Sequence, residues 1–136
     1  MATQIFVNLP VKNLDKSVDF FKKLGYSFNP QFTNEQATCM IVSDTIYVML
    51  LVHPFFKTFS SKEIADSTKV VESITCLSAE SREAVDDIFS KAVEAGATAP
   101  KDKIDYGWMY SCSFEDLDGH QWEYAWMDPA GMPQHQ

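Results

Sequence analysis

Hydrophobic residues alternate with polar ones near the start of the chain and then recur at helical spacing. Residues 5–11 predict a strand whose odd-numbered apolar side chains share one face, with Phe6 and Asn8 on the other. Asn13 is a favourable N-cap, and the apolar positions after it predict a helix that stops at Gly25. These apolar positions are Leu14, Val18, Phe21 and Leu24. The chain therefore opens with a strand followed by a capped helix.

The same pattern recurs in the second half of the chain, which indicates an internal repeat. The apolar positions of a second helix lie 71 residues after those of the first, while the strand before it, residues 73–78, matches at an offset of 67. Four extra residues between strand and helix reconcile the two offsets, and Ile74 and Cys76 then correspond to Val7 and Leu9. Further strands are predicted at 26–31, 37–42, 46–52, 98–100, 109–115 and 120–126. The sequence therefore predicts two modules, each with the order strand–helix–strand–strand–strand.

These modules divide the 136 residues into segments of one predicted domain. The segments are module one at 1–52, a connector at 53–69, module two at 70–127 and a frayed tail at 128–136. In the connector, Phe55, Phe56 and Phe59 predict partial packing against the rest of the chain.

Composition and charge exclude several classes of function. With 11 basic and 19 acidic residues the net charge is −8, which disfavours binding to nucleic acid. The longest apolar run, residues 46–52, is far shorter than the roughly 20 residues that a membrane span needs. The N-terminus does not resemble a signal peptide, and Cys39, Cys76 and Cys112 each lie in an apolar stretch, as expected of reduced core thiols. We therefore expect a cytoplasmic protein with no membrane partner.

Two stretches resemble the vicinal oxygen chelate superfamily, which comprises glyoxalases, bleomycin resistance proteins and extradiol dioxygenases. Residues 9–26, LPVKNLDKSVDFFKKLGY, resemble the opening strand and capped helix of the family. Residues 114–123, FEDLDGHQWE, resemble its final hairpin, although Leu117 stands where the family usually has Pro. The resemblance implies an α+β fold in which two βαβββ modules pair into a curved mixed sheet around a cup-shaped cavity.

Many members of this family hold a divalent metal on four side chains that face into the cup. Carried onto this sequence, those positions are Phe6, Met49, Ser73 and Glu123. Only Glu123 is an ordinary ligand for zinc or magnesium. A one-residue shift in register would turn the side chains toward the helix, and a two-residue shift would bring in Asn8 or Thr75. We therefore predict no usual metal centre and no cofactor, unless a divalent metal binds at a displaced site.

Glu123 remains as a carboxylate facing a partly apolar cavity, and two interpretations stay open for it. In one it acts as a general base. In the other it hydrogen-bonds Asn8, Ser73 or Gln121 and only orients a ligand or keeps the strand in register.

Several other residues are candidates for contact with a ligand. Asn8 is unusual in a strand and needs polar partners when buried, so its amide is predicted to orient a ligand or to bond neighbouring backbone. The aromatic candidates for the cavity wall are Tyr47, Trp108 and Tyr110. The aromatic residues that alternate with Glu123 are predicted to pack against a helix or a partner subunit; they are Trp122, Tyr124 and Trp126. His53 and His120 could each act as an acid or base at the rim of the cavity, but both are predicted to face solvent.

Two functions from different classes therefore remain. The favoured one is a metal-free cup that binds a small molecule, with Phe6, Asn8, Met49 and Leu51 on its inner face. The alternative is a lyase, isomerase or dioxygenase of the same superfamily that uses Glu123 as a base or as a ligand of a displaced metal. The resemblance and the clustered aromatic residues near position 124 also predict a homodimer.

Overall fold

The computed structural model describes residues 2–131, in which helices and strands are mixed. The strands are β1 Ile5–Val11, β2 Ser27–Asn29, β3 Ala37–Ile41, β4 Ile46–Val52, β5 Ile74–Ser78, β6 Ile104–Asp105, β7 Met109–Glu115 and β8 Gln121–Met127. The helices are α1 Leu14–Lys23, α2 His53–Phe56 and α3 Arg82–Glu94, with single 3₁₀ turns at Pro30–Phe32 and Lys57–Phe59. The predicted α+β class is confirmed.

The chain divides into two compact units at the Asp66–Ser67 bond, and each unit contains one four-stranded mixed sheet. The strand order is β1-β4-β3-β2 in the first unit and β5-β8-β7-β6 in the second. In both units the first strand runs parallel to the last and the remaining neighbours are antiparallel. This topology confirms the two βαβββ modules. The predicted connector belongs largely to the first unit.

In the first unit, α1 covers one face of the sheet. The Asn13 side chain accepts a hydrogen bond from the amide of Lys16, which confirms the predicted N-cap. The helix packs against β4, and the strand residues on that face are almost completely buried. These are Thr38, Met40, Val48 and Leu50. The apolar helix positions thus form a core with one face of the sheet, while the other face is not covered by α1.

In the second unit, α3 packs in the same way against β7 and β8. The Ser81 side chain accepts from the amide of Ala84 and caps this helix. Trp122 and Phe114 are fully buried beneath it, Tyr124 is nearly so, and the guanidinium of Arg82 lies over the Trp126 ring. The aromatic residues that alternate with Glu123 therefore pack against the helix, as predicted. Because α3 covers them, they give no support to a dimer, which stays a prediction from the resemblance.

The register of β5 differs from the sequence prediction by one residue. Cys76 pairs with Glu123, whereas Asn8 pairs with Met49, so Asn8 and Cys76 are equivalent at an offset of 68 rather than 67. Thr75 and Leu77 therefore lie on the helix-covered face, and Ile74 and Cys76 lie on the opposite one. Few identities connect the two halves, and the lengths of the connecting segments could not fix the offset to one residue.

Other boundaries differ where local turns compete with extended structure. The expected strand 26–31 is shortened to Ser27–Asn29 because Pro30 starts a 3₁₀ turn capped by the Asn29 side chain. The expected strand 98–100 is reduced to a bridge between Thr98 and Glu115, while the short β6 was not predicted. In the predicted tail, the amide of Gly131 donates to Asp128, and residues 132–136 lie outside the described residues.

All three cysteines are free thiols, but only two of them are core residues. Cys39 and Cys112 are buried, whereas Cys76 is exposed, which corrects the expectation for that residue. Among the described residues, no helix is long and apolar enough to cross a membrane. The cytoplasmic location stays a prediction.

The β7–β8 turn is held by a buried carboxylate. Asp116 Oδ1 accepts from the amides of Asp118 and His120, and its Oδ2 accepts from the indole N–H of Trp122 at 2.9 Å. Desolvation raises the pKa of Asp116 despite these hydrogen bonds. Gly119 completes the turn with a φ of +87°, and a β-carbon there would lie 2.7 Å from the carbonyl oxygen of Ser67.

A surface ion pair fixes β6 to α3. Arg82 bonds both carboxylate oxygens of Asp105 at 2.8 and 2.9 Å, and its guanidinium lies over the Tyr110 ring. The Arg82 hydrogen bonds are the main reason that the pKa of Asp105 falls from 3.8 to about 2. This pair anchors a strand of only two residues.

Gly119→Ala should destabilise the protein more than Gly25→Ala, as measured by urea unfolding. Both replacements force alanine into the left-handed region, which costs about 1–2 kcal/mol. A β-carbon at Gly25 has no atom within 4 Å, so only Gly119→Ala must also displace the backbone of Ser67 and Thr68. Equal losses of stability in the two variants would contradict the close approach of residue 119 to the backbone of Ser67 and Thr68.

Asp105→Asn should lower the free energy of unfolding at neutral pH. The difference in this free energy between the variant and the unsubstituted protein should shrink as the pH falls through the Asp105 pKa of about 2. A carboxylate whose pKa is lower in the folded state stabilises above its unfolded pKa and loses that contribution as it is protonated. Urea unfolding over this pH range measures the effect. Asp102→Asn removes an exposed carboxylate from the same loop and should change stability little; an equal loss there would argue against the ion pair.

Candidate functional site

The face of the first sheet that α1 leaves uncovered carries the predicted residues of module one. Phe6 pairs with Tyr47, and Asn8 pairs with Met49. The rings of Phe6 and Tyr47 stack with centroids 5.0 Å apart and an interplanar angle of 13°. The structure thus brings four of the predicted ligand-binding residues together on one surface.

The connector packs over part of this same face. Helix α2 contacts β1 and β4, and Leu51 on β4 is only 2% exposed. The rings of Phe55 and Phe59 meet edge to face at 5.1 Å, which orients Phe59. The predicted partial packing of the connector is confirmed.

Between the connector and the sheet lies a cavity of about 370 Å³, a volume typical of small-molecule sites. Its lining residues are Asn8, Leu51, Phe56, Phe59 and Ser60. Of the residues predicted to bind a ligand, Asn8 lies in this wall. The connector residues Phe56, Phe59 and Ser60 were not predicted as part of the site, although the spacing of the two phenylalanines was a usable signal.

Two polar groups of this cavity retain hydrogen-bonding capacity. The Asn8 amide donates one N–H to the carbonyl of Phe6 at 3.1 Å, which fixes the side chain and leaves its carbonyl oxygen as an acceptor. The Ser60 hydroxyl oxygen accepts from the amide of Lys62, so its O–H remains a donor. The cavity therefore combines apolar walls with one acceptor and one donor.

In the second unit, Glu123 lies on the sheet face opposite α3. It pairs with Cys76 on β5 and with Ser113 on β7. Gln121 shares this face, and its amide nitrogen lies 3.5 Å from the Ser113 hydroxyl. Cys76 is exposed, and its pKa is raised by desolvation and by the neighbouring Glu123 carboxylate. A thiol, a hydroxyl, an amide and a carboxylate are thus adjacent on one surface.

Three predicted site residues lie elsewhere. Tyr110 lies on the helix-covered face, where its hydroxyl bonds Asp86 of α3 at 2.6 Å, so it does not share a face with Glu123. The ring of Trp108 lies in the turn before β7 and stacks on Tyr106 at 6.3 Å. Ser73 precedes β5, and the corrected register puts Ile74 in its place on the Glu123 face. These differences follow from the one-residue error in β5 and from the hairpin around β6.

The histidines were predicted to face solvent, and the structure differs for one of them. His53 is exposed at the start of α2, whereas His120 is half-buried beside the β7–β8 turn. Neither lies on a strand beside Glu123.

The side chains at the family's metal positions do not match the donors that a divalent ion requires. With the register corrected, these positions hold Phe6, Met49, Ile74 and Glu123. Two apolar side chains and a thioether leave one carboxylate, whereas a zinc site generally has three or four protein ligands. Cys76 beside Glu123 adds one soft donor that sequence reasoning missed.

One other group of potential ligands occurs within residues 2–131. The side chains of Asp116, Asp118 and His120 approach within 4.8 Å of one another in the β7–β8 turn. The Asp116 oxygens already accept three hydrogen bonds from the turn and from Trp122, so this carboxylate serves the hairpin. Glu123 is not part of this group.

Residues 3–43 match the family model described as bleomycin resistance protein-like N-terminal. This segment contains the opening strand, the capped helix and the two strands after it. No curated protein matches the chain.

Solved structures match nearly the whole chain. A hypothetical protein from S. aureus, SA1046, is 26% identical with a TM-score of 0.77, and the match covers 92% of this chain and 94% of that one. A glyoxalase/bleomycin resistance protein/dioxygenase family enzyme from Burkholderia phytofirmans is 14% identical with a TM-score of 0.77, covering 93% and 99%.

The fosfomycin resistance protein FosX from Listeria monocytogenes is 16% identical with a TM-score of 0.67, and the match covers 100% of this chain and 96% of that one. At the identities of FosX and the Burkholderia protein, the likeness concerns the fold. The chain therefore has the fold of the glyoxalase/bleomycin resistance/dioxygenase group, and its residues 3–43 match the bleomycin resistance protein-like N-terminal model in sequence.

Proposed function

We propose that this protein binds a small, largely apolar molecule without a bound divalent metal. The observation that carries the proposal is the cavity of about 370 Å³ between the connector and the first sheet, with Asn8 in its wall. Its aromatic side chains would contact an apolar or aromatic body. The free acceptor of Asn8 and the free donor of Ser60 would select for a ligand with one donor and one acceptor.

The donor chemistry at the metal positions supports the metal-free form of this proposal. Phe6 and Ile74 carry no lone pairs, and the thioether of Met49 prefers soft metals. A single carboxylate at Glu123 does not form a site of useful affinity for zinc, manganese or magnesium.

A second candidate is favoured by the position of Cys76 opposite Glu123. A carboxylate and a thiol on neighbouring strands supply two donors for a displaced metal of borderline softness, or a base next to a hydrogen-bonding group. This arrangement would suit a lyase or isomerase of the same superfamily.

Ligand binding predicts a gain in thermal stability. Screening aromatic compounds and thiol conjugates should yield a ligand that, at about 100 times its dissociation constant, stabilises the protein by roughly 2.7 kcal/mol. Asn8→Ala should weaken binding about tenfold because it removes one hydrogen bond in the cavity. Gln31→Ala, which removes an exposed amide outside the cavity, is the control. A ligand that binds the Asn8 variant as tightly as the unsubstituted protein would place the site elsewhere.

Metal analysis separates the two candidates. After incubation with nickel, zinc, manganese or iron and removal of excess ion, the purified protein should retain less than one equivalent of metal per chain. Glu123→Ala and Cys76→Ser should then leave the metal content unchanged. Stoichiometric metal that disappears in both variants would reject the metal-free proposal and favour the enzyme.

A further inference from the structure

A second cavity lies on the helix-covered side of the first unit. It has a volume of about 540 Å³, within the range of small-molecule sites. Leu14 and Val18 of α1 form one wall, and Phe28 of β2 forms part of another. Asn8 and Leu51 lie on the opposite face of the same sheet, so the sheet separates this cavity from the one beside the connector.

The strand register places the two charged residues of this cavity at opposite ends. Strand β1 ends directly before α1 begins, and it ends beside the end of β4, which pairs with the start of β3. Asp15, in the first turn of α1, therefore lies at the same end of the cavity as Thr38 near the start of β3. Lys22, in the last turn, lies at the other end, where the chain enters β2.

The helix wall of the cavity carries an acid, an apolar side chain and a base in that order. Asp15, Val18 and Lys22 are spaced by three and four residues, so they share one face of α1, and all three line the cavity. The seven residues from Asp15 to Lys22 span about 10 Å along the helix axis. Both charged side chains are exposed, and within residues 2–131 neither forms an ion pair.

The acidic end of the cavity also offers hydrogen-bond donors. The side-chain oxygen of Asn34 accepts from the amides of Gln36 and Ala37 at 2.8 and 3.1 Å, so its amino group is left as a pair of N–H donors. The backbone amide of Asn34 donates to the carbonyl of Ala37, the first residue of β3. Asn34 therefore lies at the Asp15 end, where a ligand meets a carboxylate that accepts and an amide that donates.

We propose that this cavity binds a peptide of about three residues that has free ends and an apolar middle side chain. Its ammonium group would donate to Asp15, and its carboxylate would accept from Lys22. Three extended residues span about 10 Å, which matches the axial separation of these two residues. The first peptide carbonyl would accept from the amino group of Asn34, and the middle side chain would lie against Val18 and Phe28.

The probe is the tripeptide Gly-Leu-Gly, titrated into the protein and followed by amide NMR shifts. The signals of Val18, Phe28 and Thr33 should move in a saturable way, and those of Asn8 and Leu51 should stay in place. Acetylation of the amino end or amidation of the carboxyl end should each weaken binding about fivefold, the upper range for an exposed ion pair. Absence of saturable shifts, blocked peptides that bind as tightly as the free one, or shifts centred on Asn8 and Leu51 would overturn the proposal.

A ligand without peptide carbonyls tests the role of Asn34. The probe 8-aminooctanoate also carries an ammonium and a carboxylate at the ends of an extended chain, but it has no carbonyl beside the ammonium. It should bind more weakly than Gly-Leu-Gly because the amino group of Asn34 gains no acceptor. Binding as tight as that of the tripeptide would reject a peptide as the ligand.

Variants with matched peptides test the two charges. Asp15→Asn should weaken binding of the free tripeptide about fivefold and leave binding of the acetylated form unchanged, because that form has no ammonium group. Lys22→Gln should do the same for the free and the amidated forms. Lys23→Gln makes the same charge change in the same helical turn but outside the cavity, and it should have no effect. Equal weakening of the free and acetylated forms by Asp15→Asn, or equal affinities for the Lys22 and Lys23 variants, would reject the assignment.

Discussion

Each sheet in this protein has one face buried beneath a helix, and this burial fixes where every other side chain points. In a strand, successive side chains point to opposite faces, so a shift of one residue would exchange the buried and uncovered sets. Fully buried Val48 and Leu50 hold β4 in register under α1, and Trp122 does the same for β8 under α3. Met49 and Glu123 are therefore fixed on the uncovered faces. The candidate site residues of both modules therefore lie on these two faces.

Much of the fold was predictable because its signals are local. The pattern of apolar and polar residues gave the bounds of β1, β4 and β7, and the Asn13 cap gave the start of α1. The offset between the modules was wrong by one residue because few identities connect the halves. That error hid Cys76, and it placed Ser73 on the Glu123 face, where Ile74 lies.

The candidate site was predicted less completely, because its cavity depends on how the connector folds back. Asn8 was identified from its position in a strand, and Glu123 from the family resemblance. Phe56, Phe59 and Ser60 belong to the cavity because α2 follows β4 without a break and packs onto the sheet. The aromatic residues of the connector indicated that it packs, but not against which face. Tyr110 pairs with Trp126 and therefore lies on the helix-covered face, where its hydroxyl bonds Asp86, 24 positions away in the chain.

Register links the fold to every functional conclusion, and Cys76 and Cys112 report on it directly because they lie on opposite faces of the second sheet. Cys76 is exposed and lies beside Glu123, whereas Cys39 and Cys112 are 1% and 2% exposed. Labelling of the native protein with a maleimide, followed by peptide mass spectrometry, should modify Cys76 rapidly and leave the other two thiols protected until the protein unfolds. Protection of Cys76 equal to that of Cys112 would mean that β5 presents its other face, and the placement of Glu123 among the uncovered residues would be contradicted.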